Sequence, residues 1–189
     1  MITWLLFNIH TINLLYSIAG LVALGLTTVL FYDYFWGEQK IYQKFIAPYV
    51  WALLLLTSIG GVATTLLYSE VFGFIPCSLC WLQRVALYPQ AIMGLVAFKI
   101  KDVEKFPLYG MAISAFGFLV AVYQYIYQML PTEALQSGLI PCLADGTADC
   151  ATKIMEVFGF VTFPFLSAVI FAFLFVLYMH MRKESLFVK

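Results

Sequence analysis

The sequence predicts an all-α membrane protein with five transmembrane helices, and three observations support this fold class. Of the 189 residues, 63% are hydrophobic and only 11% are charged, and the mean hydropathy is +0.95. A soluble domain of this composition would expose too much apolar surface. The apolar residues fall into five stretches that approach the roughly 20 residues a spanning helix needs. The basic residues, in turn, collect in alternate connections between these stretches.

The five stretches follow from their lengths and from the polar residues between them. They cover residues 12–35, 45–68, 81–98, 106–130 and 160–181. The first does not match a cleavable signal peptide, because no Lys or Arg precedes Lys40 and the apolar run is too long. Pro48 lies in the first turn of the second stretch, where proline is tolerated. The longest polar segment, residues 131–159, contains Cys142 and Cys150.

The third stretch is the shortest and the least lipid-like, since it contains Gln83, Arg84 and Pro89. Pro89 removes one backbone donor, so it either bends the helix and opens room for a ligand or is an ordinary tolerated membrane proline. A charged side chain inside a membrane helix usually has a function. The sequence therefore indicates a site in this stretch.

The basic residues predict which side of the membrane each connection faces. Eight of the ten lie on one predicted side: Lys40, Lys44, Lys99, Lys101, Lys105, Arg182, Lys183 and Lys189. By the positive-inside rule this side is cytoplasmic, so the N-terminus and all four cysteines are predicted outside and the C-terminus inside. The net charge of zero and the lack of a basic run give no sign of nucleic-acid binding.

The four cysteines form two local pairs. Cys77 and Cys80 are two residues apart where the third apolar helix begins, so their sulfurs come within bonding reach and helix N–H groups favour a thiolate. Arg84 follows Cys80 by one turn on the same face, where its charge can steady a thiolate or a ligand oxygen. Cys142 and Cys150 supply a second pair in the polar loop. Two such pairs on one face suit a thiol–disulfide relay that ends on a lipid-soluble oxidant.

Three other interpretations compete with a relay. A zinc site would favour a second short cysteine knuckle, whereas Cys142 and Cys150 are eight positions apart. Two static disulfides could instead staple a membrane assembly or transport subunit that is not an enzyme. Haem has little support, because the two histidines, His10 and His180, are predicted on opposite sides of the membrane, each as an interface residue.

Three motifs also resemble a known family. They are Pro-Cys-Ser-Leu-Cys-Trp-Leu-Gln-Arg-Val-Ala-Leu-Tyr-Pro at residues 76–89, Ile-Pro-Cys at 140–142, and Phe-Gly-Phe-Val-Thr-Phe-Pro-Phe-Leu-Ser at 158–167. Over roughly residues 46–180 the chain resembles the DsbB family of disulfide-forming membrane oxidoreductases, most closely its BdbC branch. Vitamin K epoxide reductase relatives have the opposite order of cysteine pairs. The family core is a four-helix bundle, so the resemblance implies a redox domain at residues 45–189 and an additional N-terminal helix with its cytoplasmic connection at residues 1–44.

The resemblance also implies a role for each site residue. Cys142 would meet an extracytoplasmic thioredoxin-like thiol oxidase, and Cys150 would resolve toward Cys77. Cys80 would react with a membrane quinone, either ubiquinone or menaquinone, and Arg84 would support quinone binding. The implied activity is a thiol:quinone oxidoreductase of the bacterial cytoplasmic membrane that serves protein disulfide formation.

Overall fold

The computed structural model describes residues 8–37, 40–129 and 150–187, with side chains described as far as residue 183. Five α-helices run through these ranges: α1 (Ile9–Phe35), α2 (Val50–Leu66), α3 (Ser78–Ile100), α4 (Phe106–Met129) and α5 (Phe163–Phe187). Cys142 lies outside the described residues. The predicted all-α fold class is confirmed.

Turns of other helical types lengthen α2 at both ends. A π turn (Tyr42–Ile46) and a 3-10 turn (Ala47–Tyr49) precede it, and a second π turn (Leu67–Val71) follows it. Pro48 lies at the start of the 3-10 turn, where its missing N–H costs nothing. Together these pieces make one helical run, Tyr42–Val71.

Four of the helical segments in the described ranges are long and apolar enough to cross a membrane: Ile9–Phe35, Tyr42–Val71, Phe106–Met129 and Phe163–Lys183. Helix α3 has 23 residues but is less apolar, because it carries Gln83, Arg84 and Gln90. It is not interrupted at Pro89. The five predicted stretches thus correspond to five helices, while the crossing of the membrane by α3 remains a prediction.

Helix α5 is the centre of the arrangement. It packs against α4, α1 and α2, and α3 completes the ring by contacting α2 and α4. Burial agrees with this central position of α5. In the most apolar 18-residue segment of each helix, 61% of α5 is buried, compared with 17% of α1. Helices α2–α5 therefore form a four-helix bundle, and α1 is an additional helix on its outside, as predicted.

Small residues let α4 and α5 approach closely. A Cβ atom added at Gly110 would lie 2.5 Å from the Tyr178 ring, and one added at Gly117 would lie 2.5 Å from the Phe171 ring. Glycines that let a large side chain of the neighbouring helix lie directly on the helix surface increase van der Waals packing between membrane helices. These contacts fix the position of α4 along the axis of α5, and α4 carries part of the site described below.

A buried amide connects three helices of the bundle. Gln90 on α3 accepts hydrogen bonds at Oε1 from Ser114 Oγ (3.0 Å) and the Tyr178 hydroxyl (3.1 Å). Its Nε2 donates to the Ala86 carbonyl at 3.0 Å. Because all of these polar atoms are satisfied inside the bundle, they hold α3 in register with α4 and α5.

We call the end of the bundle where α1 and α5 finish the anchor end. Here the Asp33 carboxylate accepts the backbone N–H groups of Ile41 (3.2 Å) and Tyr42 (2.9 Å). His180 Nε2 lies 3.0 Å from the Leu30 carbonyl, and its ring stacks on Tyr42 with centroids 4.4 Å apart. The prediction that His180 is an interface residue is wrong, because its side chain is completely buried between these neighbours.

A short hairpin precedes α5 and was not predicted. Strand β1 (Glu156–Val157) pairs antiparallel with β2 (Val161–Thr162). The turn between them uses left-handed backbone at Phe158 (φ 57°) and Gly159 (φ 76°), a conformation that glycine adopts readily. The hairpin joins the segment that carries Cys150 to the start of α5.

Candidate active site

The Cys77 and Cys80 pair is built on the first turn of α3. Cys77 is the N-cap residue, with extended backbone (φ −72°, ψ 171°), and its sulfur accepts the Cys80 backbone N–H at 3.4 Å. The two Sγ atoms lie 2.9 Å apart. Pro76 comes directly before, where its fixed φ and missing N–H suit a helix entry. The helix N-terminus therefore presents both sulfurs together and supplies a backbone donor to one of them.

Cys150 is brought to the same place from the far end of the loop. It is 1% exposed and packs with Cys77, Leu79 and Tyr127. Its sulfur lies 3.8 Å from the Ser78 hydroxyl. The pKa of the Cys77 thiol is raised, first by its hydrogen bond to the Cys150 sulfur and then by that to Cys80 and by burial. A sulfur of the loop pair thus packs directly beside the Cys77 and Cys80 pair.

Two glutamines on α4 organise these sulfurs. Gln124 Nε2 donates to Cys77 Sγ at 3.3 Å and to Cys80 Sγ at 3.4 Å. Its Oε1 accepts from Gln83 Nε2 at 2.6 Å, which fixes the direction of the amide. One turn further on, Gln128 Nε2 donates to the carbonyls of Cys150 (3.2 Å) and Thr152 (3.3 Å). Gln124 therefore directs N–H donors at the Cys77 and Cys80 sulfurs, and Gln128 holds the Cys150 segment beside them.

Arg84 lies one turn deeper than Cys80 and is only 7% exposed. Its Nη2 donates to the Thr65 carbonyl on α2 at 2.9 Å, and its guanidinium carbon lies 5.1 Å from the centroid of the Trp81 ring. One carbonyl and one ring face give the guanidinium a fixed direction without an acidic partner among these contacts. Such an arrangement leaves its positive charge available to an electron-rich ligand.

A cavity of about 390 Å³ joins these groups. Its lining includes Cys77, Cys80, Arg84, Gln124, Tyr68 and Phe163. The volume falls within the range typical of small-molecule sites, and the mixture of aromatic rings with a few convergent polar groups is also typical of them. We call this space the site cavity, and the end of the bundle that contains it the sulfur end.

The sequence predicted part of this arrangement and missed part of it. The structure brings Cys77, Cys80, Arg84 and Cys150 to the sulfur end, while Cys142 falls in residues 130–149, which the structure does not describe. Gln124 was not predicted as a site residue. The signal that marks it is a strongly polar amide within an apolar stretch, which in a membrane helix calls for a buried partner.

Comparison with known proteins agrees with this geometry. The family model for disulfide bond formation protein DsbB matches residues 47–181. The chain is 39% identical over 123 residues to the SPbeta prophage-derived disulfide bond formation protein B of Bacillus subtilis, covering 65% of this chain and 78% of that protein. It is 33% identical over 136 residues to disulfide bond formation protein C of the same organism, covering 71% and 91% of the two chains. Known solved structures include no match to this chain.

Proposed function

Because this chain belongs to the DsbB family of disulfide bond formation proteins, we propose that it is a thiol:quinone oxidoreductase that reoxidises an extracytoplasmic thioredoxin-like dithiol partner. The observation that carries the proposal is the order of the sulfurs. Cys150 packs against Cys77, and Cys77 and Cys80 both line a cavity that also contains Arg84. Electrons entering at the loop pair have a continuous route to a ligand in that cavity.

The first half-reaction exchanges disulfides with the partner. One partner thiolate attacks the Cys142–Cys150 disulfide at Cys142, which forms a mixed disulfide and releases Cys150 as a thiolate. The second partner thiolate then displaces Cys142. The partner leaves with a disulfide, and the loop pair has gained two electrons as two thiols. The assignment of Cys142 as the first point of attack comes from the family resemblance.

The second half-reaction moves the electrons to Cys77 and Cys80. The Cys150 thiolate attacks the Cys77–Cys80 disulfide at Cys77, releasing the Cys80 thiolate, and Cys142 then displaces Cys77 from Cys150. The packing of buried Cys150 against Cys77 supports this pairing. Gln124 supports the release of Cys80, since its amide donates to that sulfur and stabilises negative charge there.

The last step passes two electrons from the Cys77 and Cys80 thiols to a quinone, either ubiquinone or menaquinone. The quinone takes two electrons and two protons to become a quinol, and the Cys77–Cys80 disulfide is re-formed. Arg84 lines the cavity from one turn below Cys80, where its charge favours an electron-rich carbonyl oxygen. A quinone ~100 mV more oxidising than the cysteine pair drives this step by several kcal/mol, at about 1.4 kcal/mol per 30 mV.

The proposal includes a location and a division of the chain. We infer the bacterial cytoplasmic membrane, with the N-terminus and the sulfur end outside and the C-terminus inside, from the basic residues. Residues 1–44 form the additional helix with its connection, and residues 45–189 form the redox domain. Cysteine substituted for Asp102 should be protected from an impermeant maleimide in intact cells, and labelling of that position would contradict this orientation.

Thiol trapping in cells, with and without respiratory quinone, tests the function. When quinone is depleted, both cysteine pairs should accumulate as thiols, because electrons have no exit. A Cys77→Ser variant is the matched control, since its loop pair should accumulate as thiols even with quinone present. If both pairs stay oxidised without quinone, the disulfides are static, and the protein is a structural subunit of a membrane assembly instead.

A further inference from the structure

Helix α1 lies outside the region that the family model matches, yet it contacts a residue that lines the site cavity. The match begins at residue 47, and α1 ends at Phe35. Near the start of α1, Asn13 Oδ1 accepts a hydrogen bond from the Tyr68 hydroxyl. One turn further along, the Tyr16 ring lies 6.3 Å from the Tyr68 ring, centroid to centroid. Two side chains of the additional helix therefore contact one residue of the bundle.

Tyr68 separates α1 from the cavity. It belongs to the π turn that follows α2, is 5% exposed, and lines the cavity. Its ring packs edge-on against Phe163 at 4.4 Å and stacks with Phe74 at 6.3 Å, and both of these rings also line the cavity. Tyr68 is thus part of an aromatic wall whose outer side rests on α1.

The same helical run also holds Arg84. The Thr65 carbonyl, which accepts the Arg84 guanidinium, lies three residues before Tyr68. The aromatic wall and the arginine are therefore attached to one short segment, Thr65 to Tyr68. A change in the direction of Tyr68 alters the space in front of Arg84 without touching any cysteine.

A phenol hydroxyl buried in a membrane protein needs a partner, because an unpaired one carries a desolvation cost. Asn13 supplies that partner on the side away from the cavity. Without it, the polar groups of the cavity are the remaining targets, and the Tyr68 side chain would turn toward them. The hydrogen bond thus keeps the cavity clear for a flat apolar head group.

We propose that Asn13 is a positioning residue for the quinone site, which acts by holding Tyr68 as a wall of the cavity, so that α1 is a working part of that site. This inference rests on the proposed quinone reduction. It assigns the additional helix a role that the cysteine relay does not require. It also predicts that a change on α1 affects the quinone half-reaction and leaves the dithiol half-reaction alone.

The test uses the purified full-length chain with decylubiquinone as acceptor and dithiothreitol as dithiol donor. Asn13→Ala should raise the apparent KM for decylubiquinone about three- to tenfold, the factor expected for one net hydrogen bond, without changing the KM for dithiothreitol. Asn13→Asp keeps the acceptor oxygen and should retain a KM close to that of the parent. Thr27→Ala is the matched control, since it removes a buried hydroxyl on the same helix that donates to the Ala23 carbonyl of its own helix.

Tyr68→Phe keeps the ring as a wall and removes the hydroxyl that would turn into the cavity, so its KM for decylubiquinone should stay close to that of the parent. The double variant Asn13→Ala/Tyr68→Phe should therefore bring the KM back toward the parental value, because no unpaired hydroxyl remains. If Asn13→Ala fails to fold, Asn13→Leu removes the same acceptor. A parental KM in the Asn13 variant, or a double variant as impaired as that single variant, would overturn the inference. If the parent chain itself does not reduce decylubiquinone, the proposed function fails instead.

Discussion

Both ends of the bundle bury polar side chains, but the partners of those side chains differ. At the sulfur end, Gln124 donates to two cysteine sulfurs, and Arg84 lines an open cavity. At the anchor end, Asp33 bonds two backbone N–H groups and His180 bonds a backbone carbonyl. Lys183 likewise donates to the Tyr34 carbonyl at 3.1 Å and lies 4.5 Å from the centroid of that ring.

The difference shows how to interpret a polar residue in a membrane helix. Such a residue is a functional candidate by default, because placing it there is costly. When its partners are backbone atoms at the end away from the site cavity, however, it serves to close the structure. When its partners are reactive side chains beside a cavity, it can take part in chemistry. Four predictions test this distinction, in order of their expected effect on turnover.

The largest effect is expected at Cys150. Cys150→Ala removes the loop disulfide, so turnover with the dithiol partner should be lost. The remaining Cys142 thiolate can attack the disulfide of the oxidised partner, which releases one partner thiolate and forms a covalent Cys142–partner complex that should accumulate without Cys150. Nonreducing electrophoresis of Cys150→Ala and Cys142→Ala, run side by side, distinguishes the two loop cysteines. If only Cys142→Ala traps the partner, then Cys150 is the first point of attack and the assigned order is reversed.

Arg84→Lys should have the next largest effect. Lysine keeps the charge but loses the planar fork that fits between the Thr65 carbonyl and the Trp81 ring. The apparent KM for decylubiquinone should rise about tenfold, the factor that corresponds to 1.4 kcal/mol. The rate of exchange with a dithiol should change little. Equal damage to both half-reactions would indicate that Arg84 serves folding.

A smaller loss of turnover is expected for Gln124→Met, which keeps the volume but removes both N–H donors from the sulfurs. Losing about 1 kcal/mol of stabilisation of the leaving thiolate would slow electron transfer several-fold. Gln90→Met is the matched control, since Gln90 is also a buried amide of the bundle but bonds Ser114, Tyr178 and Ala86. It should lower the free energy of unfolding while the rate per folded molecule stays unchanged. Equal electron-transfer rates per folded molecule in the two variants would show that Gln124 takes no part in the mechanism.

Asp33→Ala should change turnover least. It leaves the Ile41 and Tyr42 N–H groups without their acceptor, which should cost about 1–3 kcal/mol of stability. Unfolding of the purified protein in detergent measures that loss, and quinone reduction per folded molecule measures activity. A changed KM for decylubiquinone with unchanged stability would mean that the anchor end communicates with the site.

The parts of the fold that depend on local pattern were predictable from the sequence. Apolar stretches gave five helices whose helical runs begin within three residues of the predicted starts. The spacing of Cys77, Cys80 and Arg84 likewise predicted one shared helix end. Contacts between distant segments were not predictable, because they depend on how helices pack. Gln124 meets the sulfurs only when α4 lies beside α3, and His180 is buried only because α1 and Tyr42 cover it.

The central position of α5 has a consequence for how the chain is assembled. Synthesis proceeds from the N-terminus, so α1 to α4 leave the ribosome before the helix around which they pack. Helix α1 in particular has its main contact with α5, so it lacks that contact until α5, which begins at Phe163, has been made. During that interval the Asn13 amide and the Tyr68 hydroxyl lack the packing that holds them together. Synthesis of α5 is therefore the event that joins the additional helix to the four-helix bundle.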